Sequence, residues 1–296
     1  MTPENTWDFP HPLLAVPMNR VSDLGLAVAC QRAGIMPSIS AFNYYEGGRL
    51  NAQAFIDDLR RFTEQTGDNR ILMSVSPQDL LVPELVRFTA GGGFRYFEVF
   101  KWEIPEERWR KVMALCAALA KRDGAEIFFK VHRHEDAMDP QMRTVVFKGN
   151  DGAGRVALDA GTLEENFTRL RERRPGLRLI PSGAIGPAAQ VRQYLERGAT
   201  AVGIGTLFAA SEESCVAQET KLKMIEADAQ KLSHLGKFQH RGLVFSKPEG
   251  DDLNNTRALE LGIRSPEAGA VFAGKGISHV TRILPVKDIV AALLGD

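Results

Sequence analysis

The residues of this chain most able to do chemistry fall in a few short stretches. Gly149-Asn150-Asp151-Gly152-Ala153-Gly154-Arg155 surrounds a carboxylate with small residues and ends in a guanidinium. Such a loop lets backbone approach a ligand closely, while the arginine offers a fixed, permanently charged fork. Lys130, His132 and His134 alternate along the sequence and would share one face of a strand that ran that far. A lysine beside a histidine there can bind an anion or hold an electron-rich ring. Ser182-Gly183-Ala184 and Gly205-Thr206 each end an apolar run. Small residues in that place let backbone N–H groups reach an anion, and a helix N-terminus beyond them adds partial positive charge. Plainer readings stand beside each: solvated charges at a strand end, a surface arginine, and glycines that only make turns. Two small-residue turns in consecutive units favour phosphate.

Nucleophile and metal signals are sparse. No GxSxG elbow, CxxC pair or HExxH helix occurs. His132 and His134 could chelate an ion, but no carboxylate or cysteine lies at familiar ligand spacing, so no metal is expected.

The elements that must position these residues repeat. Leu13 to Asn19 is a short apolar run, and Ser22-Asp23 caps a helix that stops at Ala33-Gly34. Met36–Phe42 predicts a second strand, then a loop over 43–49 and a helix over 52–65. Further strands are expected at 71–75, 96–100, 127–131 and 144–147, with helices over 84–89, 105–121 and 163–173. Leu177–Pro181 and Ala201–Ile204 lack polar alternation, which implies strands covered on both faces. The helix between them, over 187–197, makes their pairing parallel. Eight strands, each followed by a helix or a vestige of one, predict an α/β chain folded as a (β/α)8 TIM barrel. Reactive groups then belong at the strands' carboxyl ends, where Met18, Asn19, Ser40, Ser74, Ser76, Glu98, Lys130, His132 and Lys148 fall.

Residues 1–210 are read as the barrel and 211–273 as a helical subdomain or lid, with a long charge-rich helix over 212–232. Lys247-Pro248 and Gly250-Asp251-Asp252 mark loops within it. Residues 274–296 are read as a segment whose helix after Pro285 returns to the barrel.

Composition narrows the function. The 296 residues hold 37 basic and 37 acidic side chains, so no global field draws nucleic acid or an anionic membrane, and any anion site is local. A hydrophobic fraction of 44% and a charged fraction of 25% are those of an ordinary globular protein. Cys30, Cys116 and Cys215 are odd in number and far apart, as expected for reduced thiols of a cytoplasmic protein. The first residues lack a basic and an apolar signal region, and no apolar run reaches membrane-spanning length.

With these motifs laid out, the chain resembles the nitronate monooxygenase (2-nitropropane dioxygenase) family of FMN-dependent barrels, which is similar to FMN-dependent enoyl reductases. The resemblance rests on Ala15-Val16-Pro17-Met18, the helix ending Arg32-Ala33-Gly34, Gly149 to Gly154, Ser182-Gly183-Ala184-Ile185, Gly198 to Phe208, and Gly274-Lys275-Gly276. It implies that Ser182, Gly183, Ala184, Gly205 and Thr206 hold the FMN phosphate. It further implies that Pro17, Met18 and Asn19 lie against the flavin ring, that Ser74 stands in place of a ring-contacting asparagine, and that Lys130, Lys148 and Gly149 approach the cofactor.

The chain departs from that pattern at one position. The family's loop closes on a histidine associated with proton transfer, and Arg155 stands there; arginine stays protonated and cannot act as a base. Arg155 is therefore expected to bind an anionic substrate, with His132 or Asp151 handling the proton. The function implied is an oxidoreductase, a monooxygenase by the resemblance, acting on a small nitronate or organic acid with oxygen or NAD(P)H as partner. A homodimer is open. So are three other readings: an enoyl reductase, a non-redox isomerase or lyase on a phosphorylated metabolite, and a flavin-binding protein without turnover.

Overall fold

Alternation along the strands sorts this chain into two cores. The computed structural model describes residues 7–101, 104–235, 240–245, 255–267 and 269–295. Eight strands, β1 (Leu13–Ala15), β2 (Ser38–Ser40), β3 (Leu72–Val75), β4 (Tyr96–Phe100), β5 (Glu126–Val131), β6 (Thr144–Lys148), β7 (Arg178–Ser182) and β8 (Val202–Ile204), pair in parallel in the order β1-β8-β7-β6-β5-β4-β3-β2. A parallel bridge between Leu14 and Met36 closes the ring, with the Ala15 N–H donating to the Met36 carbonyl at 3.0 Å. This is the (β/α)8 barrel that the repeat predicts.

One face of every strand looks inward. Leu14, Met36, Leu72, Tyr96, Phe128, Val146, Ile180 and Ala201 form one buried cluster inside the barrel, closed from below by Phe9. Their outward neighbours, among them Leu13, Met73, Phe97, Phe129, Val145, Leu179 and Val202, pack against the helices. Because side chains repeat every two residues, the layer above the inner cluster is Val16, Ser74, Glu98, Lys130, Lys148, Ser182 and Gly203. The apolar floor thus hands over to a polar layer at the carboxyl ends, where all seven residues line a cavity.

Helices α1 (Leu24–Arg32), α2 (Ala52–Thr66), α3 (Pro83–Gly92), α4 (Glu106–Asp123), α5 (Leu163–Arg173) and α6 (Ala188–Glu196) cover the barrel, and α7 (Thr206–Ala209) is a single turn after β8. After β5 only a 3-10 turn, His134–Met138, separates the strand from β6. Asp23 caps α1, and Asn51 caps α2, each by accepting an N–H of the first turn. Cys30 and Cys116 are buried in α1 and α4, and Cys215 is exposed. No described helix is long and apolar enough to cross a membrane.

Two expectations change. The loop over 43–49 contains a two-residue hairpin, Tyr45–Glu46 against Arg49–Leu50, turning on Gly47 and Gly48 at φ 54° and 81°. The expected helix over 212–232 is only α8 (Gln218–Ile225), because Asp228 accepts the N–H groups of Gln230 and Lys231 and starts a separate turn. Beyond it, β9 (Leu232–Leu235), β10 (His240–Val244) and β11 (Ala270–Val271) form an antiparallel sheet beside α9 (Asn255–Arg264), so the described residues of 211–273 include strands as well as helices. Gly242 lets β11 approach, since a Cβ there would sit 2.6 Å from the Val271 carbonyl oxygen. The expected loops at Lys247-Pro248 and Gly250–Asp252 lie outside the described residues. α10 (Val286–Leu294) lies against α1 and α6.

The start of α5 bears on the site. Thr162 and Glu165 form a capping box, and Leu163 presses so close to Gly149 that a Cβ at 149 would meet it at 2.6 Å. Thr162→Ala should cost about 1 kcal/mol of stability, read as a lower urea midpoint at unchanged slope.

Candidate functional site

A cavity of about 260 Å³ opens at the carboxyl ends of the strands. Of the residues expected at the site, Pro17, Met18, Asn19, Ser74, Lys130, His132, Lys148, Arg155, Ser182, Gly183, Ala184, Gly205 and Thr206 line it. Ser40, Ser76, Gly149 and Asp151 do not.

One end is walled by small residues. Ser182 ends β7 and Gly183 and Ala184 follow it, Gly203, Gly205 and Thr206 belong to β8 and its exit, and Gly276 completes the wall. Gly183 at φ 103° and Ala184 at φ 63° are both left-handed, a conformation that alanine adopts only under constraint. A Cβ on Gly183 would lie 3.1 Å from Gly152 Cα, and one on Gly205 3.1 Å from Val16 Cγ2 and 3.6 Å from Met18 Sδ. Among the described residues no carboxylate lies on this wall, which carries the hydroxyls of Ser182 and Thr206.

The floor is a charge pair. Glu98, 1% exposed, accepts from Ser74 Oγ at 3.0 Å and from Lys130 Nζ at 3.2 Å, both through Oε1. Met18 and Asn19 sit on the loop after β1. The Met18 N–H donates to Ser22 Oγ at 2.9 Å, and Asn19 Oδ1 accepts from Ser40 Oγ at 3.1 Å. Beside them Phe42 stacks on Tyr45 at 5.1 Å and leans on Phe100 at 6.0 Å. The Tyr45 hydroxyl donates to Asp79, 2.7 Å from Oδ2, which holds this aromatic wall in place.

The glycine-rich loop forms the remaining side. Lys148 lines the cavity, and its Nζ donates to the carbonyls of Ala153 and, at 2.8 Å, Arg155. Burial first, and the charge of Lys130 second, hold it well below the usual lysine range. The Gly149 N–H donates to the Ser182 carbonyl at 2.9 Å, fixing the loop to β7. Asp151 faces away, with Lys275 Nζ 2.7 Å and Arg241 Nη1 3.8 Å from Oδ1, so its part is to anchor the loop to the segment after the barrel. His134 is also outside the cavity. Strand β5 ends at Val131, the alternation that would align His134 with Lys130 and His132 is lost, and its ring lies 3.2 Å from Glu135.

The segment after the barrel supplies residues that reading the sequence missed. Gly154 and Arg241 exchange N–H···O bonds of 2.8 Å in an antiparallel bridge, so Arg155 and His240 occupy the next opposed positions. His240, Phe272 and Leu259 line the cavity, and His240 stacks on Phe272 at 5.2 Å and 9°. Phe42 and Phe100 could have been found from their places at strand ends; His240 could not, since its segment has no repeat to locate it.

Both cavity histidines are held neutral. Burial, then the charges of Lys148, Lys130 and Arg155, push His132 well below the usual imidazole range. Burial, then Arg155 and Lys148, push His240 down to about 4. Among the described residues no three His, Cys, Asp or Glu groups converge as a metal site.

No protein-family model matches the sequence, and no curated protein matches it. Solved structures do match. FabK from Thermotoga maritima superposes with a TM-score of 0.78 at 19% identity, over 97% of this chain and 93% of that one. Nitroalkane oxidase from Streptomyces ansochromogenes gives 0.74 at 19% identity, over 97% and 96%. The enoyl reductase domain of MlnA from Bacillus amyloliquefaciens gives 0.70 at 12%, over 97% and 93%. The chain has the fold of these barrels. The similarity spans nearly the whole chain, the segment after β8 included, and at these identities it speaks for the fold.

Acid should unfold the protein through its histidines. An unfolded imidazole binds a proton near pH 6.5, whereas His240 in the fold resists until about 4. Stability is therefore lost as pH falls from about 6.5 toward 4, because the unfolded state binds more protons. His240→Gln and His132→Gln should each flatten the fall in urea midpoint across that window.

Proposed function

We propose that this protein is an FMN-dependent oxidoreductase acting on a small organic acid anion of the nitronate type. The observation that carries the reading is the division of one cavity into a carboxylate-free wall of small residues, a lysine floor, and a rim bearing Arg155 and two neutral histidines. The fit to a flavin mononucleotide rests on that division. Ser182, Gly183, Ala184, Gly205 and Thr206 would hold the phosphate, since their small side chains leave backbone at the cavity surface and two of them add hydroxyls. Pro17, Met18 and Asn19 would flank the ring, with Ser74 and Lys130 at its polar edge. Bound there, FMN supplies two-electron transfer at its ring.

The chain's own residues do the remaining work. Glu98 and Ser74 fix Lys130, so that one cation faces the cavity in a set position. Arg155 cannot take a proton, but its permanent charge suits a carboxylate or nitronate. Phe42 and Phe100 offer an aromatic surface to the substrate's apolar part and keep water from it. Oxygen and NAD(P)H are both candidate electron partners in this reading. Enoyl reduction fits the same fold, but the cation-rich rim favours a charged substrate.

The visible spectrum of purified protein tests the cofactor: flavin absorbance with FMN released on denaturation is expected, and a colourless protein that takes up no added FMN overturns the proposal. Arg155→Ala should raise KM for a carboxylate-bearing nitro compound about 10- to 100-fold, the loss expected for a charged hydrogen bond of roughly 1.5–3 kcal/mol. KM for neutral nitroethane should change little, and equal effects on both compounds would sink the anion role of Arg155.

A further inference from the structure

We infer that His240, brought opposite Arg155 by the segment that follows the barrel, is the base that takes a proton from the carbon of a substrate whose anionic group Arg155 holds. The inference rests on the proposed function and names a catalytic residue that the sequence motifs did not suggest.

The placement is carried by backbone pairing. Gly154 and Arg241 exchange two 2.8 Å hydrogen bonds across an antiparallel bridge. One step further, in opposite chain directions, come Arg155 and His240, and the Arg155 charge acts on the His240 ring. Both side chains line the cavity. The cation and the imidazole therefore share one cavity rim, although His240 comes 85 positions after Arg155 in the chain.

The imidazole is also held in orientation. Its ring lies parallel to Phe272 at 5.2 Å, and Phe272 closes against the loop, since a Cβ on Gly154 would meet its Cδ2 at 3.2 Å. A stacked ring keeps its nitrogens in one plane, and an imidazole has two of them, so a hydrogen bond at one sets the tautomer and leaves the other to carry the proton. His132 is the competing candidate. Both of its ring nitrogens are buried, and three cations, Lys148, Lys130 and Arg155, oppose its protonation.

The chemistry balances without a further reagent. The substrate C–H bond breaks, the proton goes to an imidazole nitrogen, and the electron pair stays on carbon, delocalised into the adjacent nitro or carbonyl group. The imidazolium later returns the proton to water. Before substrate binds, burial, then Arg155 and Lys148, keep His240 neutral, the form a base needs. An anion seated on Arg155 offsets that charge and raises the basicity of His240 as the proton must move.

The test is wash-out of the protons next to the nitro group of 3-nitropropanoate in D2O, followed by NMR with the holoprotein under anaerobic conditions and corrected for the buffer rate. His240→Gln should lose at least about a hundredfold of the protein-dependent exchange while its flavin absorbance is unchanged. His240→Ala should regain part of the exchange on addition of free imidazole, a recovery that a purely structural role would not show. Exchange that survives His240→Gln, or that is lost in His132→Gln alone, overturns the assignment, as does a wild-type protein with no exchange. Proton wash-out needs no electron transfer, so failure of the flavin reading appears separately, as a colourless protein.

Discussion

A closed barrel leaves its inward side chains one place to go. Each strand contributes alternate residues to the interior, and neighbouring strands hold one another in register. A change of residue type two positions along is therefore a change of layer. In this chain that change runs from Leu72 to Ser74, Tyr96 to Glu98, Phe128 to Lys130, Val146 to Lys148 and Ile180 to Ser182. The apolar layer makes the barrel stable, and the polar layer above it is the cavity floor. Both follow from the same two-residue period.

Charge in such a place needs a partner, because burial removes the water that would otherwise stabilise it. Lys130 has Glu98, which is itself steadied by Ser74. Lys148 has two loop carbonyls. Asp151, the loop's own carboxylate, is drawn outward by Lys275 and Arg241. The cavity is thus left with more cationic than anionic groups, and its histidines stay neutral under that field. A local anion site in a chain of zero formal charge arises from this sorting rather than from composition.

The loop from Gly149 to Arg155 is held from three directions: to β7 through the Gly149 N–H, to β6 through Lys148, and to the later segment through Arg241. Glycine is required where these partners crowd it, at 149 by Leu163 and at 274 by the backbone of Asp151 to Ala153. The segment after the barrel is consequently part of the site, since it fixes one rim and contributes His240, Leu259 and Phe272 to it.

Much of this was legible in the residues themselves. The βα repeat, the span of α5 at 163–173, and the small-residue turns after β7 and β8 follow from local hydrophobic period and turn chemistry, which act over a few residues and are written in them. The barrel fold expected from the repeat is shared with FabK and nitroalkane oxidase over nearly the whole chain. Three features were decided only by tertiary structure. His134 left the cavity because β5 ended at Val131, and Asp151 turned away because Lys275, 124 positions later, offered a cation. His240 entered the cavity because β10 pairs with the loop at Gly154. Each depends on a partner far along the chain, and no local pattern encodes the distance between residues that folding alone brings together.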